Sequence, residues 1–192
     1  SNIYLNPLDH LMAQKGFALV RYADDFVILC RSPEEATQAL AAVQEWTAAA
    51  GLTLHPTKTR IVNATDDGFE FLGYRFENGK RYPRTKSLEK LKDTIRAKTK
   101  RTSGQCLRAI IGSLNPTLRG WFEYFKHSDR WTLTRLDQWI RMRLRSLLRK
   151  RLGLKGRGRG ADHHRWPNAF FAKQGLYSLK TAHEWACQSS SR

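Results

Sequence analysis

A chain of 192 residues with 41% apolar content is long enough to bury a real core and to divide into two small domains. Its 34 Lys and Arg against 17 Asp and Glu give a formal charge of +17, more than solubility needs, so a polyanion is the expected partner, nucleic acid ahead of an anionic membrane surface. No run approaches the roughly 20 apolar residues of a spanning helix, and Cys30, Cys106 and Cys187 form no CxxC pair, which argues against a disulfide framework and a structural zinc site.

A soluble, cytoplasmic protein of bacterial type, with no membrane partner, is therefore expected. The N-terminus, Ser1-Asn2-Ile3-Tyr4, shows no basic-then-apolar signal pattern and opens on what reads as the inside of an element, so a truncated start is expected. Charge divides the chain: residues 1–75 hold 6 Lys/Arg and 9 Asp/Glu, net −3, whereas residues 76–192 hold 28 and 8, net +20.

In chain order, the runs Phe17–Ala23 and Phe26–Cys30 flank Ala23-Asp24-Asp25 and predict a β-hairpin with acidic residues at its turn. Ser32-Pro33-Glu34-Glu35 supplies an N-cap, a first-position Pro and acidic first-turn residues for a helix that runs to Ala50 and stops at Gly51. Leu52-Thr53-Leu54, Arg60–Asn63 and Phe69–Phe76 read as strands separated by turn residues. After Pro83 the period changes. Leu88, Leu91 and Ile95 mark one helix, and Leu107, Ile110, Ile111 and Leu114 a second. Asn115-Pro116 reads as the start of a third helix through Phe125, and Leu133, Leu136, Ile140, Leu144, Leu147 and Leu148 mark a long one ending near Gly153. Lys155–Gly160 reads as a flexible basic linker, and Leu179–Cys187 as a last short helix capped by Ser178 or Thr181.

Adjacent carboxylates on a hairpin alternate in direction, so Asp24 and Asp25 can supply part of a Mg²⁺ site for phosphoryl transfer, a hard-oxygen ion that stabilises attacking and leaving oxygens. The plain alternative is an exposed turn, since Asp is a common turn residue. The flanking residues bear on the choice. Arg21-Tyr22-Ala23-Asp24-Asp25-Phe26-Val27 closely resembles the central catalytic motif of group II intron reverse transcriptases, where Tyr-Ala-Asp-Asp caps the palm hairpin. Gly51-Leu-Thr-Leu-His-Pro-Thr-Lys58-Thr59 resembles the next motif of that family, and Phe71-Leu72-Gly73-Tyr74 resembles its primer-grip hairpin. Leu114-Asn115-Pro116 through Arg119-Gly120-Trp121-Phe122-Glu123-Tyr124-Phe125 is similar to the maturase-specific region, the X or thumb domain.

The resemblance implies an α+β fold: a partial right-hand polymerase palm, antiparallel sheet plus helix, over residues 1–82, and an all-α thumb/maturase bundle over 83–154. Residues 155–192 would be a basic linker and a short DNA- or RNA-binding extension. It implies RNA-directed DNA polymerisation, with Asp24 and Asp25 as metal-site carboxylates and Mg²⁺ as the cofactor of the completed site. The family's other catalytic Asp and its fingers lie upstream, so this chain alone is expected not to polymerise unless a separate N-terminal reverse transcriptase segment completes it. Lys58 would protonate or stabilise the leaving pyrophosphate, contact a phosphate, or sit in a solvated turn. Tyr22 would pack beside primer or nucleotide, or fill the hairpin face. Gly73 and Tyr74 would grip a primer, or form a simple buried strand.

The second half points to nucleic acid without the family. Its long helix carries Arg135, Arg141, Arg143, Arg145, Arg149, Lys150 and Arg151 between the leucines, and with Arg119, Arg157 and Arg159 these can track phosphates. The aromatics Trp121, Phe122, Tyr124, Phe125, Trp131, Trp139 and Trp166 would either stack on unpaired bases or pack a core. His163-His164 has no paired cysteines near it and reads as a basic loop, not a metal or nuclease site. The partners expected are group II intron RNA or another structured RNA and a DNA primer or target. Two functions stand: part of a polymerase/maturase, or a catalytically inactive maturase-like RNA-binding splicing factor.

Overall fold

The computed structural model describes residues 1–189, which fall into two compact units, Ser1–Gly79 and a second beginning at Lys80. In the first unit, α1 (Asn2–Gln14) leads into the antiparallel pair β1 (Ala18–Tyr22) and β2 (Asp25–Leu29), and α2 (Pro33–Ala49) follows. The start and stop of α2 are those expected. Ser32 Oγ accepts from the Glu35 amide at 3.2 Å, with Pro33 and Glu34 in the first turn. At the other end Gly51 takes the left-handed conformation, φ +68°, and its amide and that of Leu52 return to Ala48 and Thr47 carbonyls at 3.2 and 2.8 Å.

Leu8 and Met12 of α1 and Ala42 and Val43 of α2 form the first core, against which Leu19, Phe26 and Ile28 of the hairpin pack. Strand alternation turns the other side of the hairpin outward: Val20, Tyr22 and Leu29 are 48%, 67% and 54% exposed.

The strands expected at 52–54 and 60–63 do not form. No described segment gives them a ladder partner, and local turns take their backbone groups instead. The Thr59 amide donates to His55 O at 3.0 Å, and Asn63 Oδ1 accepts from the Thr65 amide at 2.9 Å, so the Asn side chain competes with extended structure. The run from Phe69 is a hairpin of β3 (Phe69–Phe71) and β4 (Tyr74–Glu77), with Phe69 and Phe76 rings stacked at 5.0 Å. Its two turn residues, Leu72 and Gly73, both have positive φ (48° and 77°), the type I′ pattern that glycine tolerates and leucine resists.

The second unit opens with β5 (Lys80–Pro83) and continues as α3 (Thr85–Lys98), α4 (Leu107–Phe125), α5 (Arg130–Arg151), α6 (Gly160–Arg165), α7 (Asn168–Lys173) and α8 (Leu179–Ser189). One core joins α3, α4, α5, α7 and α8, including Leu91 and Ile95, Ile111, Leu114 and Leu118, Leu136, Ile140 and Leu144, Phe171 and Leu179. Each such side chain contributes about 1.5–3 kcal/mol on burial.

Two expectations are corrected in this unit. Residues 107–125 are one helix, not two meeting at Asn115-Pro116. Pro116 gives up the bond to the carbonyl of Gly112, but both residues are exposed, so water can reach that carbonyl, and the buried stripe from Ile110 to Phe125 holds the helix together. Asn115 caps nothing: its Nδ2 donates to Gly175 O at 2.8 Å and its Oδ1 accepts from the Tyr177 amide at 2.9 Å. Residues 155–189, expected as a linker and an extension, pack into this unit, since Phe171 and Leu179 lie in the same core as α3–α5.

Candidate catalytic hairpin and nucleic-acid surface

Tyr22 pairs with Asp25 across the first hairpin, leaving Ala23 and Asp24 as a two-residue turn. Ala23 has φ +57°, a left-handed value that costs a residue with a Cβ about 1 kcal/mol. Arg21 holds this strained turn in place. Its Nη1 donates to Ala23 O at 2.7 Å and to Asn2 Oδ1 at 3.0 Å, while Nε and Nη2 grip Asp9 Oδ1 and Oδ2 at 2.8 and 2.5 Å. The bidentate bond from Arg21 lowers the Asp9 carboxyl below its ordinary pKa, so the clamp is charged on both sides. The turn is thereby tied to both ends of the first half of α1.

Asp24 and Asp25 are exposed, and among the described residues neither carboxylate has a hydrogen-bond or ion-pair partner. Tyr22 does not fill the hairpin's inner face: it is 67% exposed, on the side that carries Asp25. Lys58 lies exposed on the turn whose amide bonds to His55 O at 3.2 Å, and it forms no ion pair with either carboxylate. Gly73 supplies the tight turn of the second hairpin and Tyr74 its first β4 residue, half-buried.

The basic residues of the second unit divide into two classes. Arg145, 2% exposed, donates to Trp166 O at 2.9 Å and Asn168 Oδ1 at 2.8 Å and lies over the Phe171 ring. Arg149 bonds Asp162 at 2.9 Å and Lys155 O at 2.8 Å. Arg143 reaches Thr99 Oγ1 at 2.7 Å and the Thr99 carbonyl at 3.2 Å, capping the end of α3, and burial, helped by Arg96 and Arg101, lowers its pKa. These three arginines, expected on an RNA-facing surface, face inward, because a helix stripe wide enough to bury five leucine-type residues takes its neighbours with it. Arg141 lies 3.9 Å from buried Asp137.

Outward stand Arg119, over the Tyr177 ring at 4.8 Å, and Arg135, Lys150, Arg151, Arg157 and Arg159; Arg151 also donates to Gln105 O. Of the aromatics, Phe122 and Phe125 are core, Trp139 has Arg96 and Arg143 over its ring at 5.7 and 5.4 Å, and Trp131 is 69% exposed.

Residues 1–76 match the reverse transcriptase (RNA-dependent DNA polymerase) family, and residues 88–166 match the group II intron maturase-specific domain. The chain belongs to the group II intron reverse transcriptase/maturase family. No curated protein matches it significantly. In this reverse transcriptase/maturase the polymerase match contains the first hairpin and all but the last residue of the second, and the maturase match runs from within α3 through α6.

Reverse transcriptases generally use Mg²⁺, and two exposed, unpartnered carboxylates are the hard-oxygen donors that ion takes. Among the described residues no third His, Cys, Asp or Glu joins them in a cluster. Sequence reasoning passed over three residues of this reverse transcriptase/maturase that anchor its elements, Asp9, Asp137 and Asp162, and read Asn115 as a helix cap instead of the tie to Gly175 and Tyr177. Asp137 carried a readable signal, an acidic residue on the apolar stripe of α5 between Leu136 and Ile140. Asp9 carried none, since its partner is 12 residues away on another element.

Proposed function

We propose that the chain binds intron RNA through its second unit, and that its first hairpin contributes part of a polymerase site which an N-terminal fingers and palm segment completes. The observation that carries the reading is the surplus of unpaired charge: Arg135, Lys150, Lys155, Arg157 and Arg159 are exposed cations that form no ion pair among the described residues, in a region of net +20. Such charge repels itself unless a polyanion neutralises it.

Asp24 and Asp25 would hold Mg²⁺, which supplies Lewis-acid stabilisation of phosphoryl oxygens when bound. The chain's own residues do the positioning: Arg21 fixes the turn, Tyr22 offers an aromatic face beside Asp25, and Lys58 offers an ammonium to a phosphate or a departing pyrophosphate. Gly73 and Tyr74 present the second hairpin to a DNA primer. A splicing role without polymerisation needs only the RNA-binding part.

Primer extension on an RNA template with Mg²⁺ decides between them, using this chain alone and mixed with a fingers and palm segment. Extension only in the mixture, abolished by Asp24→Asn, supports the polymerase reading. Salt-sensitive RNA binding with no extension in either arm supports the splicing factor.

A further inference from the structure

Lys155-Gly156-Arg157-Gly158-Arg159-Gly160 has the composition of a flexible linker, yet the structure pins it at nearly every turn. Arg149 donates to Lys155 O at 2.8 Å, and the Gly158 amide donates to Ser146 Oγ at 3.2 Å. The Arg159 amide donates to Asp162 Oδ2 at 2.7 Å, and the same carboxylate takes Arg149 at 2.9 Å. Arg145 then holds Trp166 O and Asn168 at 2.9 and 2.8 Å. Gly158 lies so close to α5 that a Cβ there would stand 2.9 Å from Arg145 Cβ. Every anchoring group points inward, while the side chains of Lys155, Arg157, Arg159 and Arg165 are exposed. The one acid of the segment, Asp162, is 4% exposed and bonded to Arg149 and the Arg159 amide, and of these four cations it feels the charge of Arg165, not that of Lys155, Arg157 or Arg159.

We infer that residues 155–165 form a preformed hook for the phosphate backbone of structured RNA, with Arg157 and Arg159 as its contacts and Gly158 and Asp162 as positioning residues. The inference rests on the reading of the second unit as RNA-binding and names where and how it binds. The segment holds no Phe, Tyr or Trp and no large apolar side chain, so it has nothing to enter an acyl layer, and its cations outnumber its base-stacking groups. Charge is what it offers, and a loop ordered in advance loses little entropy on binding.

The test uses the full chain and a fluorescein-labelled RNA stem-loop, with anisotropy measured over a series of KCl concentrations. Replacing Arg157 and Arg159 together with Ala should weaken binding about ten-fold and make the salt dependence shallower by about 1.4–1.8 in the log–log slope. Asp162→Asn separates positioning from charge. It makes the chain more positive, so simple attraction predicts tighter binding, whereas a hook that loses its anchor binds several-fold more weakly. Gly158→Ala should weaken binding with no change of charge, and circular dichroism confirms that each variant is folded. Should Asp162→Asn unfold the chain, the exposed double variant decides alone. Binding by the double variant within about two-fold of the parent, or tighter binding by folded Asp162→Asn, overturns the hook. Parent protein that ignores the RNA, or that prefers phosphatidylserine vesicles to it, overturns the RNA-binding reading itself.

Discussion

Asp137 is an acid placed where the leucines of α5 face the core, and its removal should cost more than that of most single surface residues. It is 3% exposed, and its carboxylate accepts from Ser178 Oγ at 2.7 Å, the Leu179 amide at 3.0 Å and the Lys180 amide at 3.1 Å. The last two are orphan donors at the start of α8, so Asp137 caps that helix from a distance of 42 residues. In Asp137→Ala the Leu179 amide loses its partner inside the core, about 2 kcal/mol, while Ser178 and Lys180 recover part of their bonding from water, about 0.5–1 kcal/mol each. The total is about 3–4 kcal/mol. Asp137→Asn keeps one acceptor oxygen and should lose about 1–2 kcal/mol. Because a two-unit chain need not unfold in one step, the measurement is amide hydrogen exchange, which reads α8 separately. Protection of the α8 amides should fall in the order parent, Asn, Ala. If Ala costs under about 1 kcal/mol, or Asn costs as much as Ala, the remote cap is not what holds α8.

The Arg21–Asp9 clamp should depend on pH with a definite sign. Asp9 is lowered in the folded chain, so its contribution is fully present above the ordinary carboxyl value of 3.8 and is lost as pH falls through the lowered one; hydrogen exchange at Ala23–Asp25 should show this, and Arg21→Met should abolish it. The three cysteines should separate by reactivity towards Ellman's reagent at pH 8: exposed Cys106 and Cys187 fast, and Cys30 slow, because burial and then Glu35 push its thiol pKa up. Leu118, fully buried in α4, should cost about 2–5 kcal/mol as Ala in urea unfolding followed by tryptophan fluorescence, and a loss below that range would mean the core relaxes around the gap.

Much of this architecture was legible because it rests on local chemistry. Ser32, Pro33 and Gly51 bound α2 through the backbone groups of their own neighbourhood, and the first hairpin follows from alternation on either side of a short acidic turn. Tertiary effects defeated the same reasoning elsewhere. Asn115-Pro116 has the local signature of a helix start, but packing of Leu114 and Leu118 carries one helix through it. The arginines of α5 look alike in sequence, yet Arg145 and Arg149 are drawn inside by Trp166, Asn168 and Asp162, partners 13 to 23 residues on. Glycine and arginine in alternation suggest a linker until Asp162 and Ser146 supply the anchors.

The first hairpin has a consequence for how the protein behaves in solution. Its sheet has only two strands, so among the described residues the outer edge of each lacks a ladder neighbour, and Val20, Tyr22 and Leu29 lie exposed on its outer face. An open edge beside an apolar face is a template for a strand from another chain, and native proteins guard such edges with charge. Here the guards are Asp24 and Asp25 at the tip. Removing that charge by mutation therefore makes self-association of the hairpin the first fault to expect.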